Sequence, residues 1–354
     1  MKRACLVVAL IVVCFQFCGA TEYPYIYKGV RPMGMGGAFV AVSNDENALF
    51  YNPSGLADIK TRRSSILPLE IEVGENTYSL YRDALDVDFN NEQETAQFLR
   101  ENIGERSHLG LYAFPHFSMP RFAFCLIGTA RMDIEVRDRQ YPKVLTDVVN
   151  DFGAGVGYAH PLFNGTVLVG ASVKYIRRQS LDKEYTVLDI VSKDLDDLIQ
   201  DDLDDGTGFL LDAGVIVRLD GLGVKNTRIG VSGNNMIGGD LGDARDLDEH
   251  IDIGISHDLD LGFTRATLAF DYTDLFSQIE YDDDLAKRIR FGVEFRCAQI
   301  LSLRTGLYQG YLTGGLGIDG KGARLDVLTY AEEIGAFAGQ RIDRRYLLRF
   351  SIGF

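Results

Sequence analysis

The chain has 354 residues, 46% of them hydrophobic, with 51 acidic against 36 basic residues and a formal net charge of -15. That balance argues against a nucleic-acid partner, which needs a basic footprint, and 8 prolines without a low-complexity tract argue against a disordered or collagen-like chain. Mean hydropathy of -0.02 is that of an ordinary soluble protein, yet 38 glycines, and no tryptophan beside 17 tyrosines and 21 phenylalanines, fit that class poorly.

Met1-Lys2-Arg3 is a cationic start, Ala4 to Cys18 is apolar apart from Gln16, and Cys18-Gly19-Ala20 offers small residues for a signal peptidase. Residues 1–20 are therefore expected to be a cleaved secretory signal peptide. Val13 and Phe17, standing before Cys14 and Cys18, speak against a lipoprotein signal. Cleavage leaves only Cys125 and Cys297, which is no disulfide framework. After residue 20 no run of 18 apolar residues occurs, so an exported chain cannot span a bilayer as helices.

Residues 21–60 read as a separate segment. Gly34, Gly36 and Gly37 open a flexible turn, Asp45 to Ala48 can start a short helix, and Asn52-Pro53-Ser54-Gly55 is a strong turn. The glycines are not a dinucleotide fingerprint, because Phe39 stands where the third glycine belongs and no strand precedes them.

From about residue 64 the pattern has period 2. Phe122, Phe124, Leu126, Gly128, Ala130, Met132, Ile134 and Val136 fall on one face, and Cys125, Thr129, Arg131, Asp133, Glu135 and Arg137 on the other. One face is apolar while the other becomes charged, and the split recurs around Val173, Val215, Phe291 and Leu325. The strands have the length that crosses a bilayer at a tilt, about fourteen can be counted, and connections alternate between short and long. Residues 61–354 are therefore expected to form an all-β fold, a transmembrane antiparallel barrel of about 14 strands with both ends periplasmic. The last strand alternates Tyr346, Leu348, Phe350, Ile352 and Phe354, a pattern like the signal handed to barrel-insertion machinery, with Phe354 as its end. Phe152, Tyr158, Tyr175, Phe263 and Tyr272 are candidates for an aromatic girdle, and inward Gly153, Gly155 and Gly157 allow something inside to approach the wall.

A barrel of this width cannot be filled by its own side chains, so an internal hatch from residues 21–60 is expected. Inward charges of both signs can hold it by ion pairs, or Arg131, Arg288, Arg290 and Arg304 can receive a carboxylate head group. In the long connection 181–205, Leu188, Val191, Leu195 and Leu198 share a helical face among many aspartates. That face reads either as a packed, solvated loop helix or as a capture surface for an apolar ligand, together with Phe98, Leu99 and Ile103. Leu203 spoils an EF-hand reading of 201–206, and none of the five histidines has metal-ligand spacing with another. Without a nucleophile elbow either, no enzyme, metal or cofactor is expected.

The glycine cluster, Asp45 and then Tyr51-Asn52-Pro53-Ser54-Gly55-Leu56 resemble the N-terminal hatch of the long-chain fatty-acid transporter (FadL/TodX-like) family, whose hatch carries an Asn-Pro-Ala motif. Gly208 to Gly214, Gly230 to Asn235, Gly292 to Phe295 and Leu303 to Gly310 are similar to barrel segments of the same broad set, which includes PorV-like proteins. The resemblance implies a hatch-plugged barrel in the outer membrane. There, outer-membrane lipid surrounds it, external loops capture a fatty-acid-like or hydrocarbon molecule, and the molecule leaves sideways into the membrane without an energy source. A PorV-like structural or secretion-associated role through protein partners is the alternative. Ser54 stands where the family has alanine, and the charged inward face is more polar than an acyl passage requires.

Overall fold

The computed structural model describes residues 22–23, 25–193, 195–279, 284–298 and 300–353. The expected signal peptide and Phe354 lie outside the described residues.

The strands follow one another around a single antiparallel sheet. They are β1 (Arg63–Gly74), β2 (Arg106–Ala113 continued by His116–Met119), β3 (Phe122–Arg137), β4 (Lys143–Leu162), β5 (Val167–Thr186), β6 (Asp204–Arg218) and β7 (Thr227–Ile237). The second half comprises β8 (His250–Asp260), β9 (Thr264–Tyr272), β10 (Ile289–Cys297), β11 (Leu301–Tyr308), β12 (Tyr311–Asp319), β13 (Ala323–Glu333) and β14 (Ile342–Gly353). The two pieces of β2 lie between the same neighbours and count as one strand, interrupted at Phe114-Pro115 where proline has no N–H to give the ladder. β14 pairs back onto β1 from Leu67↔Ile352 to Gly74↔Arg345, and the fourteen-stranded barrel has no free edge.

Closure sorts the side chains as the alternation predicts. Phe124, Leu126, Val173, Phe291, Leu325 and Leu348 point outward and are exposed, while Arg131, Asp133, Glu294, Arg304 and Asp326 point inward and are buried. Phe152, Tyr158, Tyr175 and Phe263 are exposed outside the wall, and Tyr272 is half-buried. No helix among the described residues is long and apolar enough to cross a membrane.

One rim is made of tight turns, such as 120–121, 261–263 and 320–322; the other carries the long connections. On the loop rim, 75–105 holds helices α3 (Thr77–Ala84) and α4 (Glu92–Glu101). The connection expected over 181–205 is shorter, because β5 runs on to Thr186 and β6 begins at Asp204. It holds two helices rather than one: α5 (Val187–Ser192) stops at Lys193, whose backbone is extended, and α6 (Leu195–Asp202) follows. A capping box starts α5: the Thr186 hydroxyl accepts from the Asp189 amide at 3.4 Å, and the Asp189 carboxylate accepts from the Thr186 amide at 2.8 Å and hydroxyl at 2.7 Å. These bonds hold the Asp189 carboxyl below its ordinary range.

Candidate functional site

The N-terminal segment lies inside the barrel, between the loop rim and the tight-turn rim. It contains α1 (Val30–Gly34), α2 (Ala48–Tyr51) and a 3-10 turn over Pro53–Asp58. Gly36 and Gly37 have φ of 62° and 74°, the left-handed region that glycine occupies without strain. Asn52 is fully buried and closes the turn from both sides. Its Oδ1 accepts from the Ser54 amide at 3.2 Å and hydroxyl at 2.6 Å, and its Nδ2 donates to Val40 O at 3.0 Å and Val231 O at 3.3 Å. Ser54 thus adds a hydrogen bond that alanine could not. Asp45 accepts from the Asn47 amide at 2.9 Å and from Arg31 at 2.8 Å. All six residues expected for the hatch, Gly34, Gly36, Gly37, Asp45, Asn52 and Pro53, belong to this one buried layer.

The wall is shaped to receive that layer. A Cβ on Gly157 would lie 2.6 Å from Leu49, one on Gly170 2.5 Å from Pro53 O, and one on Gly214 2.0 Å from Asn52 Oδ1. Further round, a Cβ on Gly230 would meet Val40 O at 2.8 Å, on Gly292 Met35 O at 2.2 Å, and on Gly306 Gly36 N at 2.4 Å. Gly170 stands opposite Gly214, and Gly292 opposite Gly306, so inward glycines of neighbouring strands share a height. Of the glycines expected to admit the segment, Gly157 does so; Gly155 faces Cys125 and Lys174, and Gly153 faces the wall itself. The rest of the track was missed, although each member sits at an inward position of its strand's alternation.

Ion pairs tie the layer to the wall. Arg31 reaches Asp45 at 2.8 Å and Glu294 at 2.6 Å, and Glu294 is shared with Arg304, which also reaches Asp326 at 2.8 Å. The Asp271 carboxylate accepts from the amides of Phe39 at 2.5 Å and Val40 at 2.8 Å. The four candidate head-group arginines therefore differ. Arg304 is consumed by Glu294 and Asp326, and Arg288 donates to Asp274 O and Ser277 Oγ. Arg131 lies 4.0 Å over the Tyr25 ring and Arg290 5.2 Å over the Tyr308 ring, and neither forms an ion pair among the described residues.

Cavities flank the segment. On the loop side a cavity of about 100 Å³ is lined by Tyr23, Tyr25, Tyr27, Tyr51, Tyr308 and Phe50, and also by polar side chains that include Lys28, Lys174, Asn234, His250, Asp252 and Arg290. On the tight-turn side two adjoining cavities of about 400 and 180 Å³ share Arg63, Arg296 and Arg324. The candidate capture residues are divided. Leu188 is exposed and Val191 half-buried; Leu198, with Ile190 and Ile199, packs against Val148, Leu181 and Tyr185, and the side chain of Leu195 lies outside the described residues. Leu99 is buried, with Phe98 and Ile103 packed on it, so these three are core of the loop cap rather than free surface.

Solved structures share this architecture. The toluene transporter TbuX of Ralstonia pickettii matches at 12% identity over 92% of this chain and 98% of its own, with a TM-score of 0.53. The monoaromatic hydrocarbon channel CymD matches at 13% identity over 94% of this chain and 98% of its own, with a TM-score of 0.52. The fold is FadL-like. A Pseudomonas aeruginosa FadL homologue agrees, at 11% identity over 94% of this chain and 99% of its own, with a TM-score of 0.50. In sequence, the family described as the F plasmid transfer operon TraF protein matches residues 127–284 of this FadL-like barrel, and no curated protein matches it.

Proposed function

We propose that this FadL-like chain lets small hydrophobic molecules cross the outer membrane passively, with residues 21–60 acting as its hatch. The supporting observation is the tyrosine-lined cavity on the loop side. Tyr23, Tyr25, Tyr27, Phe50 and Tyr51, which line it, belong to the N-terminal segment, so whatever enters touches the hatch directly. A dry apolar cavity of about 150 Å³ holds benzene; this one has about 100 Å³ and offers its rings beside charged groups such as Lys28, Lys174 and Asp252. A single aromatic ring therefore fits only as the segment gives way, and a ligand that prefers the displaced state opens the route by that difference in affinity. Long connections face outside and tight turns the periplasm. Exposed Leu188 is a first contact for cargo, and a compact aromatic hydrocarbon suits the cavity better than a long acyl chain.

Uptake of labelled toluene and oleate by cells with and without the gene tests this reading. The expected result is faster toluene entry restored by the wild-type gene and reduced with Tyr25→Ala. Equal uptake with and without the gene sinks the proposal. The TraF-family match over 127–284 and the charged interior favour a second reading, a PorV-like barrel acting through protein partners. Equal uptake together with a partner crosslinked in cells to the loop rim is its expected signature.

A further inference from the structure

The tight-turn side differs chemically from everything above the hatch. Its two adjoining cavities are lined by eight basic side chains against four acidic ones, in a chain whose net charge is -15. Six of the bases are arginines, and four of these line the larger cavity: Arg63 of β1, Arg296 of β10, Arg324 of β13 and Arg349 of β14. Arg296 pairs with Glu294 at 3.3 Å, and Arg324 with Asp319 at 3.2 Å and Asp326 at 2.8 Å. Arg349 is fully buried; its Nη2 stands 3.3 Å from Glu46 and its Nε 3.4 Å from Glu70, while Nη1 has no hydrogen-bond partner. Arg63 and Lys321 form no ion pair among the described residues. In the larger cavity Ala323 is the one aliphatic side chain, and the other uncharged lining residues are Ser64, Ser65, Ser351, His116 and glycines.

We infer that this tight-turn vestibule is a binding site for a small polar organic anion carrying a carboxylate or phosphate, offered from the periplasmic side. A guanidinium fork matches either oxyanion bidentately. An orphaned buried guanidinium N–H is an unmet donor that such an oxygen satisfies. The volume of about 400 Å³ is that of a small-molecule site rather than of a bare ion. The lining has no apolar wall for an acyl chain, so the ligand is not the hydrophobic cargo, and the site stands whether or not the transport proposal does.

Isothermal titration of the full-length barrel in detergent, with citrate, glycerol 3-phosphate and decanoate as probes, tests the inference. Citrate or glycerol 3-phosphate binds, and which of the two binds more tightly identifies the carboxylate or phosphate source. Affinity falls with added salt and drops about tenfold or more in Arg63→Gln/Lys321→Gln, whose exposed side chains leave folding intact. Arg349→Gln is expected to abolish binding; the double variant keeps the test valid if Arg349→Gln fails to fold. Absence of binding at millimolar probe, unchanged affinity in the double variant, or decanoate binding more tightly than both polar anions each overturns it.

Discussion

Replacing Gly170 by alanine places a methyl group where the backbone of the N-terminal segment, the proposed hatch, already is. The added Cβ would lie 2.5 Å from the carbonyl carbon and oxygen of Pro53 and from the amide of Ser54. Carbon contacts settle near 3.5 Å, so the segment must retreat by about 1 Å. It cannot do so freely, because Asn52 holds Val231 O and the wall glycine opposite, Gly214, is equally filled by Asn52. Overpacking of this kind costs about 1–3 kcal/mol, which shifts the balance between seated and displaced hatch by roughly 5- to 150-fold. Conductance of the purified chain in planar bilayers reads the displaced population directly. Gly314→Ala is the matched control, since its Cβ meets nothing within 4 Å. Gly170→Ala should raise the open fraction within that range while Gly314→Ala stays at the wild-type value, with both variants showing heat-modifiable mobility as folded barrels. Equal conductance of the two variants would refute the view that the glycine track seats the hatch.

Arg31→Gln removes the cation shared by Asp45 and Glu294, and breaking a buried pair costs about 3–5 kcal/mol. Protease cleavage within residues 25–60 should appear at denaturant levels that leave the barrel wall intact, and a cleavage profile like wild type refutes the tether. Leu348→Arg puts a charge on the outer face of β14 and should destabilise the barrel in phospholipid vesicles by about 2–4 kcal/mol, read by urea titration of intrinsic fluorescence; a shift under 1 kcal/mol would mean that this face does not meet lipid. Asp189 has its carboxyl depressed by Thr186, so its contribution to α5 is present above the ordinary carboxylate pKa of about 3.9 and is lost as pH falls through the lowered value. Hydrogen-exchange protection of the Thr186 amide should fall over that acidic window, and in Asp189→Asn should be weak already at pH 7.

What the sequence discloses here follows the range of the forces involved. The alternation of Phe124, Leu126 and Ala130 against Cys125, Thr129 and Arg131 is local, and it identified wall, lumen and strand number together. Asp45 and Asn52 stand out in the sequence because part of their bonding is local, to Asn47 and Ser54 two positions on, while the Asn52 bonds to Val40 O and Val231 O are not readable there. The glycine track was not legible, since Gly170 and Gly214 become neighbours only through the β5–β6 register. The same holds for the arginines. Arg304 stands directly opposite Glu294 across β10 and β11 and pairs with it, while Arg290 stands opposite Asp271, whose carboxylate accepts from the Phe39 and Val40 amides instead, and composition treats them alike. Helical spacing from Leu188 to Leu198 suggested one helix, but extended Lys193 breaks it, and the two short helices pack on strand extensions past the expected ends of β5 and β6.

A hydrophobic cargo and a lumen crossed by Arg31, Glu294, Arg304 and Asp326 are compatible only if the cargo leaves before reaching those charges. The wall offers such a place. Between the pairs Leu69↔Ala113 and Ser65↔His116, the ladder joining β1 to β2 is interrupted, with a bulge in β1 at Ile66 and proline at both Pro68 and Pro115. A 3.4 Å bond from the Phe114 amide to Pro68 O is what spans the gap. On the lumen side, Phe114 stacks on Tyr27 at 4.8 Å and meets Phe50 at 5.0 Å, so an apolar contact path runs from the tyrosine cavity to the interruption. Pro68→Val returns one N–H donor to this ladder, on the side where Pro68 O already accepts from Phe114, whereas Pro115 faces β3 through its bond from the Leu126 amide. At about 1 kcal/mol for the added bond the sealed wall gains roughly fivefold. Toluene uptake should fall by a comparable factor while ion conductance of the Gly170→Ala background stays unchanged, because ions would follow the lumen. Parallel loss of both would place the cargo in the lumen, against the charges, and refute the sideways exit.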